Sequence, residues 1–292
     1  MIRLAFITDE ATQDFDEALR FAREHGLQGL ELRSVQDMPI DLVPRSELWR
    51  FRRELDRHGL CVPNLAGSFY KCAPDGDAAQ EELKKLERLC DAADILGCRF
   101  IRGFAFFAPD SGPLDAAQLE PWFSRPAKLL LRRGKTLLLE ADPSVNTTNH
   151  RTLAQLLQRL DSNAFGAIYD PGNDVFDPQG EKPYPDGYEA VQAYVRHIHV
   201  KDAVYDAAGR PVCVCIGQGL VGYPALLSRL VRERYDGWLS LETHYRKQAA
   251  LSEAQMRVPQ GSAFSHGGWD AAAESADALR ALLEQAQKEA AV

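Results

Sequence analysis

Short apolar runs alternate with amphipathic stretches along the whole chain. The runs predict eight strands: Arg3–Thr8, Gln28–Arg33, Cys61–Gly67, Arg99–Phe106, Thr136–Glu140, Ala164–Asp170, His197–Lys201 and Gly237–Glu242. Most are continuously apolar, as expected of strands buried on both faces. Between them, apolar positions recur at helical spacing. Phe15–His25 carries Phe15, Ala18, Leu19 and Ala22 on one face and stops at Gly26. Ser46–His58, Ala78–Leu96 and Leu119–Arg133 stop in the same way at Gly59, Gly97 and Gly134. Asn149–Leu160, Pro224–Tyr235 and Trp269–Ala286 complete the helical stretches.

Regular strand–helix alternation implies a parallel sheet. Eight strands, each followed by a helix, fit a closed α/β barrel, the (β/α)8 TIM barrel, better than an open doubly wound sheet. No G-x-G-x-x-G follows the first strand, and Gly217-Gln218-Gly219 comes too late to open a dinucleotide-binding half. No linker divides the chain, so residues 1–292 are expected to form one domain. Residues 246–268 break the rhythm with Pro259, Gly261, Gly267 and Gly268, and predict an extended loop over one barrel end.

Charge narrows the partners. The formal net charge is −8, which argues against nucleic acid, whose phosphates demand a basic footprint. No apolar run approaches the roughly 20 residues needed to span a membrane. The opening MIRLAFITDE runs directly into a strand pattern without a basic then apolar leader, so no secretory signal is expected. The six cysteines form no CxxC pair. Cys61, Cys98, Cys213 and Cys215 lie in apolar, strand-like stretches and are expected to be small buried hydrophobes. Reduced thiols and a cytoplasmic location follow as expectations.

In a barrel of this kind the C-terminal strand ends converge on one site. Four strands end in candidate ligands: TLLLE in Glu140, AIYD in Asp170, HIHVKD with His199, and WLSLE in Glu242. A single charge at a strand end is equally well a solvated loop residue, but four at the same topological position point to one site. Three buried carboxylates repel one another unless a cation joins them. With one imidazole they favour one divalent metal ion, Mn2+ first, with Mg2+, Co2+ or Zn2+ as alternatives. Lys201, two residues after His199, is expected to point inward beside it, either to neutralise a developing oxyanion or to pair with Asp170. His197 on the same face reads more simply as a core histidine.

These residues resemble the xylose isomerase-like barrel superfamily of sugar phosphate isomerases and epimerases. The resemblance rests on Glu140, on Asp170-Pro171-Gly172-Asn173, on His199-Val200-Lys201-Asp202 and on Glu242, with ITDEATQDFDEAL, GLQGLELR and ILGCRFIRGFAF earlier in the chain. It implies that the metal holds a hydroxyl and the adjacent carbonyl oxygen of a small sugar or polyol. One glutamate, Glu140 or Glu242, then removes the α-proton and the other returns it. Asn173, Arg102, Glu31, Arg33 and His244 are candidate substrate-binding residues, with an internal ion pair the alternative for Glu31 and Arg33. Ala141-Asp142-Pro143 and Asn173 stand where many members carry histidine, so a particular sugar preference does not transfer. Members are often homo-oligomers. A dehydratase of a keto-inositol or a dehydroshikimate-like acid would use the same proton removal. A non-catalytic sugar-binding barrel is the contrasting reading.

Overall fold

The computed structural model describes residues 1–248 and 250–290. Its main sheet has eight parallel strands: β1 Arg3–Ile7, β2 Gly29–Glu31, β3 Asn64–Phe69, β4 Phe100–Gly103, β5 Thr136–Glu140, β6 Phe165–Tyr169, β7 Val195–Val200 and β8 Trp238–Leu241. The hydrogen-bonded order is β2-β1-β8-β7-β6-β5-β4-β3. β1 lies in register with β8 from Arg3↔Trp238 to Phe6↔Leu241, which joins the two ends of the chain. The remaining joint, β2 to β3, closes through the bridges Gly29↔Cys61 and Leu32↔Leu65. There Leu30 N donates to Cys61 O at 2.9 Å and Ala66 N to Leu32 O at 3.0 Å. The predicted barrel is therefore the observed fold.

Seven long helices ring it: α1 Phe15–Glu24, α2 Arg45–His58, α3 Gly76–Leu96, α4 Ser124–Arg133, α5 His150–Leu160, α6 Tyr223–Arg232 and α7 Trp269–Ala290. Their apolar faces pack on the strands, as where Phe21 meets Phe6 with ring centroids 4.7 Å apart. Helices α2, α3 and α4 end where Gly59, Gly97 and Gly134 turn left-handed, the conformation a residue without Cβ adopts at no steric cost.

Three expectations needed correction. The single helix expected over Leu119–Arg133 is broken into Ala116–Leu119, a 3-10 turn at Glu120–Phe123, and α4. Pro121 in that turn lacks the N–H a continuous helix requires. The β6–β7 connection carries no full-length helix among the described residues, only short pieces including Pro171–Val175 and Tyr188–Val191. Pro178, Gly180, Pro183, Pro185 and Gly187 deny it a continuous ladder. The cysteines differ in part as well: Cys98 and Cys215 are buried, but Cys61 is exposed and Cys213 half-buried.

Residues 250–268 carry two short helices, Glu253–Arg257 and Gly261–Ser265, and Leu251, Met256 and Pro259 of this stretch line a large cavity. The stretch is fastened on the β1–β2 side. Gly261 N donates to Ser34 Oγ at 3.0 Å and Ser265 Oγ to Asp9 O at 2.8 Å, while Arg246 Nη2 donates within the predicted loop to Phe264 O at 2.6 Å. No helix among the described residues is long and apolar enough to cross a membrane.

Candidate metal centre and reaction cavity

Glu140 closes β5, Asp170 follows β6, His199 lies within β7 and Glu242 follows β8. One ligand atom from each lies within 4.8 Å of the others, and all four residues are buried. His199 Nδ1 stands 2.8 Å from Glu140 Oε1 and 3.0 Å from Glu242 Oε2. Three carboxylates and one imidazole converging at this spacing fit a single divalent cation with oxygen and nitrogen ligands. Asp170 Oδ2 supports that fit: it is buried without a hydrogen-bond partner of good geometry, although Lys201 Nζ lies 2.6 Å away.

Arginines and a lysine bring the two glutamates, but not Asp170, below their ordinary proton affinity. Arg102 Nη1 lies 3.1 Å from Glu140 Oε2 and 3.2 Å from Glu242 Oε1, and Arg33 Nη1 donates to the same Glu242 oxygen at 2.6 Å. Burial opposes ionisation of Glu242, yet Lys201, Arg102 and His199 hold its carboxyl well below the usual range. Burial and Glu242 push Glu140 upward, but His199 and Arg102 leave it lowered on balance. Asp170 is raised, because burial outweighs the attraction of Lys201. Lys201 itself stays cationic: burial is overcome by Asp170, Glu242 and Glu140.

Arg102 is set by an irregular stretch of β3. The register of β3 on β4 shifts between Leu65 and Phe69. Within that stretch the carbonyls of Gly67 and Ala66 accept from Arg102 Nε and Nη2, both at 3.1 Å. The Asp170-Pro171-Gly172-Asn173 turn is equally constrained. Asp170 Oδ1 accepts from Gly172 N at 3.0 Å, and Asn173 Nδ2 donates to Ala141 O at 2.8 Å. His150 supports the same turn: its Nε2 accepts from Asp170 N at 3.2 Å, while its Nδ1 lies 2.6 Å from Asp174. Asp202, last residue of the H-V-K-D motif, takes the N–H groups of Gly217 and Gly219 on Oδ2, each at 2.9 Å. The glycine pair noticed in the sequence is thus the loop that this aspartate binds.

A cavity of about 790 Å³ reaches two of the four candidate ligands, Glu140 and Glu242, and Lys201, Arg102, Asn173 and His244 also line it. Glu31, a candidate either for substrate or for an internal ion pair, does not line the cavity. It is fully buried beneath the ligands, with Oε1 3.0 Å from His199 Nε2 and Oε2 2.9 Å from His197 Nε2. Asn64 Nδ2 donates to it as well. Arg33, for which an internal ion pair is the alternative to substrate binding, lies beyond β2 and forms an ion-pair cluster with Asp9, Glu10 and Glu242. His244 joins the cluster, its Nδ1 3.0 Å from Glu10 Oε1. Asp9 and Glu10 follow β1 as Glu242 follows β8, so a strand-end pattern marks them as well. Lys71 and Asp142, paired at 2.8 Å on the cavity wall, sit in loops that carry no periodic signal.

The sequence profile of the xylose isomerase-like TIM barrel family matches residues 19–282. None of the curated protein sequences compared matches the chain. Several solved structures are similar. A probable 3-DHS dehydratase, AsbF, from Bacillus anthracis has a TM-score of 0.71 at 18% identity, covering 95% of this chain and 98% of that one. An L-ribulose 3-epimerase has a TM-score of 0.75 at 14% identity, covering 100% and 97%. A xylose isomerase-like TIM barrel protein from Mycobacterium smegmatis in complex with magnesium has a TM-score of 0.67 at 18% identity, covering 98% and 97%. The architecture is common to all of these, and the profile match spans most of the sequence. The chain belongs to the xylose isomerase-like TIM barrel family.

Proposed function

We propose that the protein is a divalent-metal-dependent isomerase or epimerase of a small ketose or related polyol, with Glu140 and Glu242 as the proton-transferring pair. One observation carries this reading: two buried, ionised glutamates from different strands face one cavity and meet at His199 Nδ1, 2.8 and 3.0 Å away. The structural likeness to an L-ribulose 3-epimerase supports it. A cation held by Glu140, Asp170, His199 and Glu242, with Mn2+ the best match to that donor set, would polarise the substrate carbonyl and stabilise the charge left by proton loss.

The chain supplies the rest. Each glutamate accepts hydrogen bonds that lower its proton affinity, so each takes up a proton only from an activated carbon and releases it readily. Arg102 touches both carboxylates and fixes their separation. Lys201 Nζ, 3.9 Å from Glu242 Oε2, adds positive charge where an oxyanion would develop. Asn173 and His244 border the cavity as hydrogen-bonding groups for hydroxyls. Return of the proton to the opposite face yields an epimer, and return to the neighbouring carbon yields an aldose.

A lyase reading has one observation of its own. Lys71, Arg102 and Lys201 on the cavity wall suit a carboxylated substrate, from which proton loss followed by departure of a β-hydroxyl gives an enone. The test incubates Mn2+-reconstituted protein with ketoses and with a dehydroshikimate-like acid in deuterium oxide. Deuterium at the carbon next to the carbonyl, lowered about 10²- to 10⁴-fold in Glu140→Gln or Glu242→Gln, is the expected result. A product lighter by one water, an enone from a ketose or an aromatic acid from the dehydroshikimate-like substrate, would replace the isomerase reading by the lyase one. Absence of both exchange and dehydration would end the catalytic reading.

A further inference from the structure

We propose that a basic side pocket next to the candidate ligands is a subsite for an oxyanion group of the substrate, a phosphate or a carboxylate. The proposal rests on the function proposed above and specifies its substrate class.

A second cavity of about 290 Å³ adjoins the first, and the two share Lys71, Arg102 and Pro259 in their walls. Five cationic side chains line it, Arg33, Lys71, Lys85, Arg88 and Arg102, against one carboxylate, Asp41. This reverses the balance of the chain, which has 42 acidic and 34 basic residues. Arg33 and Arg102 form its inner side and are the same guanidiniums that hold Glu242 Oε1. Lys71 follows β3, and Lys85 and Arg88 lie one helical turn apart on α3.

Hydrogen-bonding capacity remains on these outer three. Arg88 uses Nε and Nη2 on Asp41 Oδ2, at 3.2 and 2.8 Å. Lys71 makes one ion pair with Asp142, and Lys85 one with Glu82. A lysine offers three N–H donors and an arginine five, so donors are left over for a ligand among the described residues. Each of the five cations already faces a carboxylate, so an anion entering the pocket would bind through the remaining N–H donors of Lys71, Lys85 and Arg88. Val258, Pro259 and Gln260 of the crossing loop also line the pocket. Neutral hydroxyls would not call for this charge. A substrate with one anionic end fits both cavities at once, its reacting carbons over Glu140 and Glu242 and its anionic end toward α3.

The test uses full-length, Mg2+-loaded protein, titrated at fixed ionic strength with inorganic phosphate and with acetate and followed by 31P and 13C NMR. Wild type is compared with the Lys85→Gln/Arg88→Gln double variant, whose metal content should be unchanged. Saturable binding of one probe, roughly tenfold weaker in the variant, is expected. The probe preferred by wild type identifies phosphate or carboxylate. Ser68→Glu, at an exposed position on the pocket wall, offers a second route and should abolish binding by filling the pocket with a carboxylate. Equal binding by wild type and variants, as when the anion sits only on the metal, would overturn the proposal, as would no saturation at all. Deuterium exchange on neutral ketoses without anion binding sinks the subsite alone. Anion binding lost in the variants without any exchange sinks the proposed reaction alone.

Discussion

Glu31 decides which nitrogen of His199 faces Glu140 and Glu242. Its two oxygens are taken up by His199 Nε2 and His197 Nε2, and those imidazoles hold it well below the usual carboxylate range against the cost of burial. A carboxylate behind a ligating imidazole fixes the ring and raises its basicity. Glu31→Gln should therefore weaken Mn2+ binding about 10- to 100-fold, read by competition with a chelator. Identical affinity would reduce Glu31 to a core ion pair. The sequence displayed Glu140, Asp170, His199 and Glu242 clearly, since each follows an apolar run. It could not display the depth of Glu31. Alternation indicates which face a residue takes, whereas the layer depends on β7, more than 160 residues away in the chain.

At the scale of elements, two loops hold the site through close backbone approach. A Cβ on Gly172 would come 2.6 Å from Lys201 O and 2.8 Å from Lys201 Cβ, so the Asp170–Asn173 turn and the end of β7 tolerate no side chain between them. On Gly268, a Cβ would meet the carbonyl oxygen of Glu10, where the crossing loop returns to β1. Gly172→Ala should cost about 1–3 kcal/mol of stability by overpacking and should also weaken metal binding, because Asp170 moves with the turn. Denaturant midpoints and metal titration on the same preparation check both effects. Loss of stability with full metal affinity would show that the turn yields without moving Asp170. The strands were legible because they are long apolar runs. The broken segment before α4 was misread because Leu119, Trp122 and Phe123 keep helical spacing across Pro121, and spacing is blind to a missing N–H.

Across the whole molecule, the four candidate ligands tie together β5, β6, β7 and the end of β8, half of the ring. A cation bound there and absent from the unfolded chain stabilises the native state by about 2.7 kcal/mol when present at 100 times its dissociation constant. Thermal unfolding should therefore begin at lower temperature after chelation and recover on adding Mn2+. A midpoint that ignores both treatments would mean that the cluster balances its own charge through Arg33, Arg102 and Lys201. The barrel was legible from the sequence because the alternation of elements repeats along the whole chain. The helix-poor β6–β7 connection was not, because barrel periodicity implies a helix at that place regardless of local prolines.

The pairing of β1 with β8 has a consequence for synthesis on the ribosome. Arg3 finds its partner only when Trp238 has been made, which at ordinary elongation rates means a delay of about 10 to 50 s. Through that interval the first strand exposes an unsatisfied edge of N–H and C=O groups, open to any other extended chain nearby. The nascent protein must either shield that edge or depend on chaperones to do so, and the ring cannot exist until its last strand emerges.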